Sequence, residues 1–138
     1  MRYLDEKYKI YVVGNGVEIF KKKCPKINFI NMKIKRRPSP FMDFIVLVKL
    51  ICLFIEIKPD IVHSIMPKSG LLAAIAGFIA RVPIRIHTFT GQVWATQTGL
   101  TKKLYLKLDR LINNLNTMCL TDSNSQSTFL KEHKITYK

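Results

Sequence analysis

Two short stretches carry most of the side chains in this sequence that could do chemistry. They are His63-Ser64-Ile65-Met66-Pro67-Lys68-Ser69-Gly70 and His87-Thr88-Phe89-Thr90-Gly91-Gln92-Val93-Trp94. An imidazole can move a proton near neutral pH, and hydroxyls, amides and a lysine can bind an anion or a sugar. His87 lies inside an apolar run, where a hydrogen-bonded core histidine is the expected role. His63 is nearer the exit of its run, and both a core and a site role stay open for it. His133 falls in the last helical segment and is expected to be exposed. No third partner completes a metal site or a Ser-His-Asp set. The 9 acidic residues are scattered singly apart from Asp5-Glu6, which argues against a glycosidase-type carboxylate pair. Lys68, Ser69 and Gly70 open a helix, whose free N–H groups attract anions or simply need capping. This is not a Walker loop, because the upstream glycines are missing. Trp94 is the only tryptophan. It can pack in a core, stack on a sugar or sit at a lipid interface, and its place in a loop favours the last two.

The elements around these stretches form a strand–helix–strand unit. Ile61 to Met66 is a short apolar run that reads as a strand buried on both faces. Leu71 to Ala80 is too long for a typical strand and suits a packed helix, which Arg81-Val82-Pro83 breaks. Ile84 to Phe89 is the second strand. A βαβ unit places its strands parallel, and ligands sit beyond their carboxyl ends. Those ends are the two stretches with the chemistry.

Elsewhere, Lys9 to Val13 reads as a strand closed by Gly14-Asn15-Gly16. A lone Gly-x-Gly there is weak evidence for a phosphate loop, and a plain turn accounts for it. Val17 to Lys23 suggests a short helix, and Ile27 to Ile34 a second strand near a sheet edge. Phe41 to Ile57 is the most apolar segment, yet Asp43, Lys49 and Glu56 interrupt it. A spanning helix needs about 20 mostly apolar residues, so this one is expected to pack on the sheet; contact of part of its apolar surface with lipid is the alternative. Gly91 to Gly99 reads as a loop. Thr101 to Asn116 repeats at helical period, with Leu104, Leu108, Leu111, Ile112 and Leu115 on one stripe. Lys102, Lys103, Lys107 and Arg110 lie away from it. Thr117 to Thr121 is a further strand, and Ser123 with Gln126 makes a capping box for the last helix.

The chain has 138 residues, enough for one domain with a sizeable core, and no signal peptide is read at its start. Its formal charge of +14, from 23 basic and 9 acidic residues, points to an anionic partner. Nucleic acid, a membrane leaflet and a phosphorylated substrate all qualify. Lys21, Lys22, Lys23, Lys26, Lys33, Lys35, Arg36 and Arg37 form one basic cluster, readable as a solvated edge or as a membrane contact beside the apolar segment. Cys24, Cys52 and Cys119 lack metal-ligand spacing and read as reduced thiols of a cytosolic protein.

Lys58-Pro59-Asp60-Ile61-Val62-His63-Ser64, then Pro67-Lys68-Ser69-Gly70-Leu71-Leu72, then Ile86 to Trp94, then Thr121-Asp122-Ser123-Asn124-Ser125-Gln126 resemble the N-terminal domain of family 4 glycosyltransferases. The segments are closest to enzymes that build bacterial capsule and O-antigen repeat units on a lipid-diphosphate carrier. The resemblance covers nearly the whole chain. It implies one Rossmann-like α/β domain over residues 1–138, with a mostly parallel sheet flanked by helices. This would be the incomplete N-terminal, acceptor-side half of a GT-B fold. The family's first strand with its glycine-rich turn would precede Met1. The C-terminal donor-binding domain, with its glutamates seven residues apart, has no counterpart among Glu6, Glu18, Glu56 and Glu132. Thr90 stands where many members carry a histidine, so no catalytic residue is assigned.

By the same resemblance, His63, Lys68, Ser69, Gly70, Thr90, Gly91, Gln92 and Trp94 form the acceptor-side wall of a cleft. Lys21, Lys22, Lys23, Lys35, Arg36, Arg37, Lys102 and Lys103 would touch an anionic membrane. The implied partners are a lipid-linked saccharide acceptor and that membrane surface. A nucleotide-sugar donor would bind only with the missing domain, and no cofactor, metal or nucleic acid is implied. The expected place is the cytoplasmic face of the cell membrane, held peripherally. The whole enzyme would move a sugar onto a polyprenyl-diphosphate-linked saccharide, with this chain inactive alone. The alternative is a non-catalytic acceptor- and membrane-binding subunit that pairs with a separate donor-binding chain. A nucleic-acid-binding domain fits worse, because aromatic and basic residues do not interleave.

Overall fold

The computed structural model describes residues 7–35 and 37–135. The chain divides into two compact units, Met1–Val46 and Leu47–Lys138. Helix α1 (Pro40–Ile57) runs across the division. Its start follows from Pro38-Ser39-Pro40. Proline suits the first helical position, and the Ser39 N–H donates to Asp43 Oδ2 at 3.0 Å. Val46, Leu50 and Phe54, four residues apart, form a buried stripe, while Phe41, Phe44, Val48 and Ile55 are exposed. Among the described residues no helix is long and apolar enough to cross a membrane.

In the first unit, β1 (Tyr11–Gly14) pairs in parallel with β2 (Asn28–Asn31). β2 is shorter than the alternation over 27–34 predicts. Gly16 takes φ 68°, a left-handed conformation that glycine adopts freely, and its N–H donates to Asn31 Oδ1 at 3.1 Å. The helix expected over 17–23 is a single 3-10 turn, Val17–Phe20.

The second unit is built on a three-stranded parallel sheet in the order β3 (Ile61–Ser64), β4 (Ile84–Phe89), β5 (Met118–Thr121). The register sets Ser64 opposite His87 and Phe89 opposite Thr121. Helix α2 (Pro67–Ile79) packs on β3 and β4, and α3 (Gly99–Leu115) packs on α2. Close approach is possible because α2 turns Gly70, Ala74 and Gly77 toward the sheet. A Cβ at Gly77 would come within 3.1 Å of Arg85 Cδ. Arg85 in turn ties strand to helix ends, donating through Nε to the Leu115 carbonyl at 2.8 Å and through Nη1 to the Val82 carbonyl. Helix α4 (Asn124–Glu132) closes the unit against β5. The core gathers Phe89, Trp94, Ile112, Cys119, Leu130 and Ile135.

Three expectations need correction. β3 is not buried on both faces, since Ile61 is 52% exposed and His63 is exposed as well. It is an edge strand, and α2 covers the face of Ser64 only. On α3 the buried positions are Asp109, Ile112 and Asn113, while Leu104 and Leu111 are exposed. The inward stripe is rotated from the leucine stripe, because Asp109 answers a buried indole. The loop over 91–99 contains a 3-10 turn, Val93–Thr96, that carries Trp94 inward.

Candidate functional site

Because β3, β4 and β5 are parallel, their carboxyl ends share one rim. β3 delivers Ile65, Met66 and the first turn of α2 to that rim, and β4 delivers Thr90-Gly91-Gln92. β5 delivers Asp122 and Ser123, a third contributor that the motif reading left as a cap alone. The alternation of side chains along a strand then divides the candidates between two faces.

His63 is on the exposed face, with Nε2 2.8 Å from Thr88 Oγ1. On the covered face, Ser64 Oγ lies 2.9 Å from His87 Nδ1. The two histidines are therefore not a pair acting on one substrate. His87 is fully buried, as its place in the strand predicts, and packs edge-on against Phe89 at 4.7 Å. Burial lowers its pKa from 6.5 to about 4, and the charge of nearby His63 adds to the effect. The ring is neutral at physiological pH, and among the described residues its Nε2 has no hydrogen-bond partner.

Gly70 owes its identity to this ring. A Cβ there would fall 2.3 Å from His87 Cε1 and 2.6 Å from Nδ1, far inside contact distance. The first turn of α2 begins at Met66, with Pro67 at the first helical position and no side-chain cap. Ser69 Oγ donates to the Met66 carbonyl at 3.3 Å, and Lys68 and Ser69 are half-buried. Thr90 and Gly91 are exposed and Gln92 is half-buried, its Nε2 buried and without a partner among the described residues.

Trp94 departs from the expectation of a ligand-facing ring. It is 0% exposed, and its Nε1–H donates to Asp109 Oδ2 at 2.7 Å. The indole stacks on Phe129 at 5.1 Å and meets His133 at 4.7 Å. In this arrangement it offers no face to a sugar or a lipid, and instead anchors the loop that carries Thr90 to Gln92. His133 likewise differs from its expected exposure. It is half-buried against Trp94 and Phe129, and caps α4. Asp109 is the residue sequence reasoning missed. Burial raises its pKa, and the indole N–H opposes the shift.

Ser123 caps α4 as predicted, accepting from the Gln126 N–H at 3.2 Å. The return bond of the box runs to the Asp122 N–H at 2.9 Å. Thus α2 and α4 both begin just past carboxyl ends of the sheet and aim the positive ends of their dipoles at the rim. A cavity of about 350 Å³ lies at the opposite end of β3 and β4, lined by Phe54, Lys58, Asp60, Arg81 and Val82 among others. Lys58 and Arg81 there take positive φ just past the ends of α1 and α2, where left-handed residues terminate helices.

Of the expected membrane-contact residues, Lys21, Lys22, Lys23, Lys35, Arg37 and Lys103 are exposed and Lys102 is half-buried. Arg36 lies outside the described residues.

The sequence profile of the Glycosyl transferase 4-like family matches residues 2–127, most of the chain. The chain belongs to that family. It is also similar to the Staphylococcus aureus protein named "Capsular polysaccharide biosynthesis glycosyltransferase CapM", with 41% identity over 102 residues. That match takes in 74% of this chain and 26% of the S. aureus protein, so the chain spans about a quarter of that relative's length. The mostly parallel sheets flanked by helices agree with the Rossmann-like domain expected for this family.

Proposed function

We propose that this chain is the acceptor-side half of a GT-B glycosyltransferase of surface polysaccharide synthesis. The complete enzyme transfers a sugar from a nucleotide-sugar to a polyprenyl-diphosphate-linked saccharide at the cytoplasmic face of the membrane, which it touches peripherally. The observation that carries this reading is the shared rim. Adjacent parallel strands release Ile65–Gly70 and Thr90–Gln92 at the same end, where α2 and α4 also present their amino termini. Such a rim attracts a diphosphate, while exposed hydroxyls and amides suit a sugar.

The name of the S. aureus relative supports a role in capsule synthesis. Both sheets, β1-β2 and β3-β4-β5, are parallel throughout, as strands of a doubly wound domain are. His63, Lys68, Ser69, Gly70, Thr90, Gly91 and Gln92 form the acceptor wall, with Gly70 letting α2 start close over the His87 ring and Trp94 holding the loop from behind.

The test is a backbone-amide NMR titration of the whole chain with farnesyl diphosphate and with inorganic pyrophosphate. Shifts are expected at Lys68–Gly70, Thr90–Gln92 and Asp122–Asn124. Shifts confined to Lys58–Asp60 and Arg81–Val82, at the other end of the strands, would overturn the assignment. The chain alone is expected to turn over no nucleotide-sugar, and measurable turnover refutes the half-enzyme reading.

A further inference from the structure

The first unit carries an apolar tip that the basic-cluster reading did not include. After β1 the chain makes the 3-10 turn Val17–Phe20, and Val17 folds back toward Gly14. A Cβ on that glycine would lie 3.1 Å from Val17 Cγ1. With Val17 turned to the sheet, the next apolar residues point away from it. Ile19 is 74% and Phe20 49% exposed. The turn is firmly held, because Lys21 N–H donates to the Glu18 carbonyl and both Lys23 and Cys24 N–H donate to the Phe20 carbonyl, each at 3.0 Å. Lys21, Lys22, Lys23 and Lys26 follow, all exposed, with Glu18 the single acidic side chain between residues 17 and 26.

We propose that Val17–Lys26 is a lipid-docking wedge, in which Ile19 and Phe20 enter the headgroup boundary of an anionic bilayer and the four lysines engage its phosphates. The inference deepens the membrane part of the function proposed above and rests on it. Charge complementarity selects the occupant. Four lysines within six residues repel one another unless they meet a surface of opposite sign, and an anionic leaflet offers one that is continuous. The same leaflet places a fluid apolar layer immediately beneath, within reach of two side chains on a short turn. A fluid layer needs no matching pocket, whereas a protein partner would need both an acidic patch and a hole for Phe20.

The whole chain is tested by co-sedimentation with vesicles of phosphatidylcholine alone and of equimolar phosphatidylcholine and phosphatidylglycerol. Wild type is expected on the anionic vesicles only. Replacing Ile19→Ser and Phe20→Ser together should weaken partitioning by roughly tenfold or more. Replacing Lys21→Gln, Lys22→Gln and Lys23→Gln should weaken it by about a hundredfold at low salt. All five sites are exposed, so thermal unfolding of these variants should match wild type. A Phe20→Trp chain reports depth, since brominated lipid should quench the new indole and spare Trp94, which is 0% exposed. Anionic binding that survives both sets of substitutions, or an unquenched indole in the Phe20→Trp chain, overturns the wedge and leaves membrane association to other basic residues. Equal binding to the neutral vesicles overturns the choice of partner. Wild type that ignores anionic vesicles overturns both the wedge and the membrane part of the proposed function, while leaving the diphosphate titration to judge the rim.

Discussion

Acid should weaken the second unit through His87, by an amount the structure sets. The ring is fully buried, and burial, helped by the charge of His63, brings its pKa from 6.5 down to about 4. The unfolded chain therefore takes up a proton before the folded chain does. Stability from this group is complete above about pH 6.5, and is lost as pH falls toward 4. A displacement of about 2.5 pK units at about 1.36 kcal/mol each amounts to about 3 kcal/mol. That is a large share of the about 5–15 kcal/mol that holds a typical domain together.

The perturbation is His87→Gln, which cannot titrate, and the assay is urea unfolding of wild type and variant across that pH range. Trp94 fluorescence is the natural probe, because the only tryptophan sits in the core of the unit concerned. Asp109 works in the opposite direction, since its raised pKa makes it less costly to the fold as pH falls. It does so in both chains, so the difference between them isolates His87. That difference should shift by about 3 kcal/mol against wild type between neutral pH and pH 4. A difference that stays flat, or an NMR titration placing His87 near 6.5, refutes the reasoning.

The same pocket makes a second prediction. Gly70→Ala would set a Cβ 2.3 Å from His87 Cε1, and overpacking of this kind costs about 1–3 kcal/mol in urea unfolding. The loss should shrink when His87→Ser is added, and a Gly70→Ala chain as stable as wild type would refute the contact. At the anchor, Asp109→Leu strands the Trp94 N–H and should cost about 1–3 kcal/mol. Asp109→Asn keeps an acceptor without the buried charge, so it should match or exceed wild type at neutral pH and lose that advantage in acid. Equal losses from both substitutions would show that the hydrogen bond is not what holds the loop.

Where the sequence was explicit, apolar runs ended in strong stops. Phe41 to Ile57 reads as a helix and the structure begins α1 one residue earlier, at Pro40. Ile84 to Phe89 is read and observed with the same bounds. The shared rim was also legible, because a βαβ unit fixes which strand ends meet. Which face of α3 turns inward, and where the loop after β4 turns, was not legible. Trp94 and Asp109 are fifteen residues apart and bond only through the tertiary fold. Periodicity counts Asp109 with the lysines of α3 and counts the leucines as core. The buried indole N–H needs an acceptor, and Asp109 turns inward to supply it while Leu104 and Leu111 stay exposed. His133 was misplaced for the same reason, as Trp94 from the turn after β4 packs against its ring.

The inward turn of Trp94 changes what the rim can do. The loop after β4 is fixed at one end by strand pairing at Phe89 with Thr121, and at the other by an indole held on α3 and α4. Between those points lie only Thr90, Gly91, Gln92 and Val93. A tether of four residues loses little conformational entropy on meeting a ligand, so binding energy is not spent on ordering it. An outward tryptophan would have given the rim a stacking surface and a longer mobile loop. This chain has the converse, a short and preordered run of backbone N–H groups and a hydroxyl beside two helix amino termini. Such a surface suits an anion better than it suits an apolar ring.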